Sequence, residues 1–120
     1  MDYRVAKIAR NLDVDESGDN MVDAPAILYG YIIFNTATSF RYVKLYDDAS
    51  APTVGTDTPI ATFAIPPQGG ANLDFRDGMM IFQNGIGIGA TTGVADNDTG
   101  APGANDVIVN ILYKLELGPS

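Results

Sequence analysis

Apolar runs alternate along this chain with stretches rich in glycine, proline and small polar residues, and inside the runs the period is two residues. The last run is the cleanest. Val107, Val109, Ile111, Tyr113 and Leu115 share one face, Asn110, Lys114 and Glu116 the other, with Ile108 and Leu112 making that second face partly apolar. Residues 40–47 alternate likewise, with Val43 and Leu45 opposite Tyr42, Lys44 and Tyr46. This predicts a strand on which the rings pack while Lys44 keeps its charge in water. After Pro25 the run AILYGYIIFN is apolar on both faces, which predicts a central strand covered on both sides. Gly30 in its middle predicts a bulge or a close approach by another backbone. Residues 60–65 predict a further strand, ended by Pro66-Pro67, and short strands follow at 71–75 and 78–82 around Arg76-Asp77. In NGIGIGATT, residues 84–92, glycine alternates with Ile86 and Ile88, so something can pack tightly against the glycine face. Residues 1–12 carry a helical stripe of Val5, Ile8, Ala9 and Leu12, too short to hold a helix alone; the other reading is an arm that orders on a partner.

Seven or eight strands at this spacing predict an all-β fold, an antiparallel β-sandwich that is Ig-like or jelly-roll-like, with a short N-terminal arm. The expected division is an arm and acidic loop at 1–24, the sandwich at 25–117 and a tail at 118–120. A chain of 120 residues is one domain and buries a core without disulfides or metals. It has no cysteine and no histidine, which removes thiol nucleophiles, thiolate sites, the usual general base and the commonest metal ligand. A net charge of −8 opposes binding to nucleic acid or to an anionic membrane. The longest apolar run, 26–34, is about half the ~20 residues of a spanning helix. No apolar segment follows the basic residues near the N-terminus, so no secretory signal is read and synthesis in the cytoplasm is expected.

Five features bear on chemistry. Asp13-Val14-Asp15-Glu16-Ser17-Gly18 opens like a calcium loop, with Asp13, Asp15 and Ser17 as oxygen ligands. The match fails at Asn20 and at Ala24, where an aliphatic and a bidentate glutamate belong, so the reading is a solvated acidic loop without metal. Asp96-Asn97-Asp98-Thr99 reads as turn chemistry. Gly85-Ile86-Gly87-Ile88-Gly89-Ala90 fits a dinucleotide fingerprint by letter, but no helix can follow it, so it reads as a glycine-lined strand. The carboxylates Asp47-Asp48 and Asp74 with Asp77 read as turn and solubility groups, and Tyr29, Tyr31, Tyr42, Tyr46 and Tyr113 as packed strand residues rather than a sugar platform.

The succession LYGYIIFN, FRYVKLYD, APTVGTDTPIATFAIPP with a following GG, NGIGIGATT, VADNDTG and VIVNILYK resembles a family of small virion structural proteins of tailed phages and prophages. The resemblance spans about residues 28–114 and is sharpest at Tyr42-Val43-Lys44-Leu45-Tyr46 and at 52–59. It implies a non-enzymatic β-sandwich of the virion, without catalytic residues or cofactor. The expected role is a capsid decoration or cement subunit that binds the major capsid protein on the outside of the head and stabilises the shell, as a homo-oligomer and foremost a trimer. The alternative is a tail, tail-tip or head-fibre part that binds a receptor or glycan through loops 47–59 and 93–105. In either case the loop held between Pro52 and Pro59 is the expected contact surface, through Thr53, Val54, Gly55, Thr56, Asp57 and Thr58.

Overall fold

A computed structural model describes residues 7–74 and 80–115. Among them are nine strands: β1 Lys7–Asn11, β2 Asp19–Val22, β3 Ala26–Asn35, β4 Arg41–Asp47, β5 Ala61–Ile65, β6 Gly69–Asp74, β7 Met80–Phe82, β8 Ile86–Thr91 and β9 Val107–Leu115. One sheet has the order β1-β9-β3-β6, with β7 also paired to β3; the other has the order β2-β8-β4-β5. Every pairing is antiparallel. The chain wraps from sheet to sheet and sets its first strand beside its last. This double Greek key is a jelly roll, which decides between the two sandwich topologies that the sequence left open.

Two of the strands lie where an arm and a loop were expected. Residues 7–11 are neither helical nor free. They pair with β9 over five residues, Lys7 with Tyr113 through Asn11 with Val109. A five-residue segment too short to satisfy its own backbone as a helix finds its partners in a ladder instead. Within the acidic loop, Asp19 and Asn20 pair with Ile88 and Gly87. Among the described residues the sandwich therefore already includes Lys7–Asn11 and Asp19–Val22, ahead of Pro25. Residues 1–6, Arg76, Asp77 and the tail at 118–120 lie outside the described residues.

β3 combines both features anticipated at Gly30. The register on β9 shifts between Leu28 and Gly30, so Tyr29 is the extra residue of a bulge. A Cβ on Gly30 would stand 2.6 Å from the Leu73 carbonyl oxygen, so the neighbouring backbone occupies that space. The bulge changes which residues face inward: Ala26 and Leu28 before it, Tyr31, Ile33 and Asn35 after it. The outward side is not covered as expected, since Ile32 and Phe34 are exposed.

Between the sheets, Leu28, Ile33, Val109 and Ile111 join Val43, Leu45, Ile86 and Ile88 in one core. Each such aliphatic side chain contributes about 1.5–3 kcal/mol on burial. Polar side chains close the end of the sandwich near the β3–β4 turn. The buried Asn35 amide donates to the carbonyls of Ser39, Ile65 and Pro66 at 2.8, 3.1 and 3.2 Å. Its own carbonyl oxygen accepts from the Ala37 N–H at 2.9 Å. Arg41 pairs with Asp106 at 3.1 Å, both half-buried, and ties β4 to the turn before β9.

Candidate functional site

The outer face of the β2-β8-β4-β5 sheet has a cover built from three loops. Its floor follows from register. Lys44 of β4 lies opposite Gly89 of β8, and Tyr46 opposite Gly87. The glycines leave a trough, and the loop at 48–60 lies in it. A Cβ on Gly87 would stand 3.0 Å from Pro52 Cδ, and one on Gly89 2.6 Å from Val54 Cγ2. β8 is consequently buried along its whole length, its isoleucines in the core and its glycines under the loop. This is the tight packing that the alternating glycines predicted.

Two further loops lock onto the first. Gly18, at φ 77°, lies where a Cβ would meet the Pro52 carbonyl, and the Asp15 carbonyl accepts from Ala90 N–H at 2.9 Å. Gly55, at φ 92°, lies where a Cβ would meet Thr99 Cγ2. Both backbones are in the left-handed region that favours glycine.

Lys44 lies beneath this cover and corrects the sequence expectation. It is 0% exposed, and its ammonium donates to the Ala95 carbonyl at 2.6 Å. A charge reaching for water would have had to cross the loop; the trough over Gly89 instead lets the side chain lie along the sheet to the 92–100 turn. Burial lowers its pKa below the ordinary 10.5, and nearby Asp98 and Asp96 oppose that shift. Tyr46 is buried beside it, and its hydroxyl has no hydrogen-bond partner among the described residues. Its phenol is pushed above 10.0 by burial first, then by Asp57 and Asp96.

The six expected contact residues form one closed turn with two sides. Thr53 N–H donates to Asp57 Oδ2 at 2.8 Å, while the N–H groups of Thr56 and Asp57 return to the Thr53 carbonyl at 3.1 and 2.9 Å. Val54, at 8% exposure, points down onto Gly89. Thr53, Thr56 and Thr58 are exposed, with Gly55 and Asp57 between these extremes. The outward side is therefore hydroxyls around one carboxylate, held rigidly.

The acidic motifs are committed to turns. Asp13 Oδ1 accepts from Asn105 N–H at 2.8 Å, and Asp15 Oδ1 from the N–H and hydroxyl of Ser17 at 3.0 and 2.5 Å. Asp47 receives the N–H groups of Gln83 and Asn84 at 3.1 and 2.8 Å, and Asp48 the N–H and the hydroxyl of Ser50, each at 3.0 Å. Asp98 takes Gly100 N–H at 2.7 Å. Among the described residues no three acidic side chains gather as a metal cluster would require. What the arrangement offers is a fixed polar surface. Sequence reasoning missed Lys44 and Asn35 as internal ties; for Lys44 the available signal was a long cation in register with a glycine-alternating strand.

No protein-family model matches the chain, and no curated protein matches it. Among solved structures it is similar to the coat protein of tobacco streak virus, with 11% identity, a TM-score of 0.36, and coverage of 96% of this chain and 90% of that one. The fold assignment stands on the strand order itself.

Proposed function

We propose that this chain is a virion structural protein without enzymatic activity, acting as a capsid decoration or cement subunit on the outside of a phage head. The observation that carries it is the jelly roll with its loops locked over one sheet, an architecture used by viral capsid and lectin domains. The family resemblance along residues 28–114 supports the same reading. Such a part must hold a preorganised contact surface through repeated assembly, and the 53–58 turn is closed by its own hydrogen bonds. The proposed partner is the major capsid protein.

Purified particles test the reading. A copy number near that of the major capsid protein is expected. A few copies per particle would move the protein to a tail or vertex, and its absence would overturn the reading. Replacing Thr53, Thr56 and Thr58 together by arginine leaves the buried Val54 in place, so occupancy on the head should fall while the fold persists. A second reading is a receptor- or glycan-binding part of a tail or fibre. It draws on the stacked pair of Phe40, which is exposed, and Tyr42, with ring centroids 6.3 Å apart beside the same sheet. Stacked rings of this kind suit a sugar face. Retention on a glycan array that is lost in Phe40→Ala would favour it.

A further inference from the structure

Among the described residues, no loop lies over the outer face of the β1-β9-β3-β6 sheet. It exposes four large apolar side chains, Ile8 at 68%, Ile81 at 61%, Ile32 at 50% and Phe34 at 44%, beside the polar Arg10, Asn72 and Asp74. Register makes them neighbours. Ile8 pairs with Leu112, Leu112 with Gly30, and Ile27 with Ile81. A hollow of about 370 Å³ opens in this region, lined by Gly30, Ile32, Asn72, Asp74 and Leu112 among others. It lies where the bulge leaves Gly30 without a side chain.

The charges on the same sheet are few and ordered. In a chain with 15 acidic residues, the five strands of this sheet carry one, Asp74 of β6. Lys7 and Arg10 lie in β1, at the opposite edge; Arg10 is on the outward side, whereas Lys7 is in step with the core-packed Ala9 and takes the other side, and Lys114 in β9 is stacked 4.6 Å from the centre of the Tyr29 ring.

We infer that this face docks a second copy of the chain, sheet to sheet, about a two-fold axis running along the strands. That axis is chosen by the charges. It lays β1 of one copy over β6 of the other, so Arg10 meets Asp74 twice, while β9 and β3 pack their apolar rows together. An axis across the strands would set Arg10 against its own copy. Arg10 is level with Asn110, Ile32 and Asn72, so Asp74 lies two residues further along β6. That offset is about 6.6 Å at ~3.3 Å per residue, within reach of an arginine side chain. The area is adequate. Four strands about 4.8 Å apart and up to ten residues long make a face of roughly 20 by 30 Å. Each partner of a standard interface buries about 800 Å², which such a face supplies once side-chain relief is counted. The scarcity of acid in these strands also lowers the repulsion between two molecules of net charge −8 that meet through them. The inference is independent of the virion reading, and it replaces the expected trimer with a two-fold pair.

Sedimentation of the full chain over a micromolar concentration series tests it. The expected species has twice the 12.7 kDa chain mass. Ile32→Glu should give a monomer with unchanged circular dichroism. Arg10→Asp and Asp74→Arg should each raise the dimer Kd by about tenfold or more, and the double reversal should restore it. A monomer at all concentrations, a trimer, or charge reversals without effect would each overturn the proposal.

Discussion

Lys44 is a cation that folding removes from water, and its protonation therefore reports on the cover above it. Its folded pKa lies below 10.5, so over the interval between the two values the unfolded chain holds more protons. Stability then rises with pH through that interval. Tyr46 works in the opposite sense. Its phenol is raised above 10.0, so above that pH the unfolded chain ionises first and stability falls. Urea midpoints between about pH 8 and 11 should resolve both effects. Lys44→Met keeps the buried stem and should abolish the rise, with a cost at neutral pH within about 1 kcal/mol. Tyr46→Phe should remove part of the fall. It also deletes a buried hydroxyl that has no partner among the described residues, so it should stabilise by about 1 kcal/mol, where most Tyr→Phe changes in a core destabilise. Neither role is readable from the alternation of Tyr42, Lys44 and Tyr46. That pattern fixes which face a side chain takes and says nothing of what a loop 50 residues on lays over it.

β8 is the element on which the cover depends, and its dyad repeat could be read directly: isoleucine into the core, glycine outward. Gly89→Ala tests the outward half. The added methyl would stand 2.6 Å from Val54 Cγ2, so the loop must lift, at a cost of about 1–3 kcal/mol. Amide exchange at Thr56 and Asp57 should accelerate with it, because their bonds to Thr53 depend on the seated turn. Ile88→Ala tests the inward half and should cost about 2–5 kcal/mol, with loop exchange changed only through global unfolding. The same geometry sets which changes probe contacts. Exchanging 53–58 for a glycine-serine link would remove Val54 from Gly89 and confound folding with binding, whereas Thr53, Thr56 and Thr58 face outward. β1 and β2 were the elements hidden from sequence. Each is short, polar or only faintly apolar, and each becomes a strand because a longer neighbour, β9 or β8, offers an open ladder.

At the scale of the whole molecule, the jelly roll joins chain ends: β1 pairs with β9 although about a hundred residues separate them. Contacts of that sequence separation carry the largest closure cost and form late in folding. They also have a protective role. β9 reads VIVNILYKL, β-branched and with one charge, and without β1 it would stand as a bare edge. Deleting residues 1–11 should therefore have three linked effects. Stability should fall by a few kcal/mol, since five ladder residues are lost and Ala9, packed against the core, goes with them. The loss should fall mainly on the unfolding rate, with refolding little changed, as expected of a pairing made after the transition state. Chevron kinetics measure that division, and an equal slowing of refolding would place β1 in the nucleus instead. Finally, the shortened chain should assemble into thioflavin-positive aggregates while the full chain does not. It lacks Ile8 and Arg10, so this association is distinct from two-fold docking through the sheet face. A lysine placed at Val109 or Ile111 could not separate the two effects, because both side chains are buried. Lysine at Ile108 or Leu112 faces outward in the same strand, and it should suppress the aggregation while leaving the loss of stability in place.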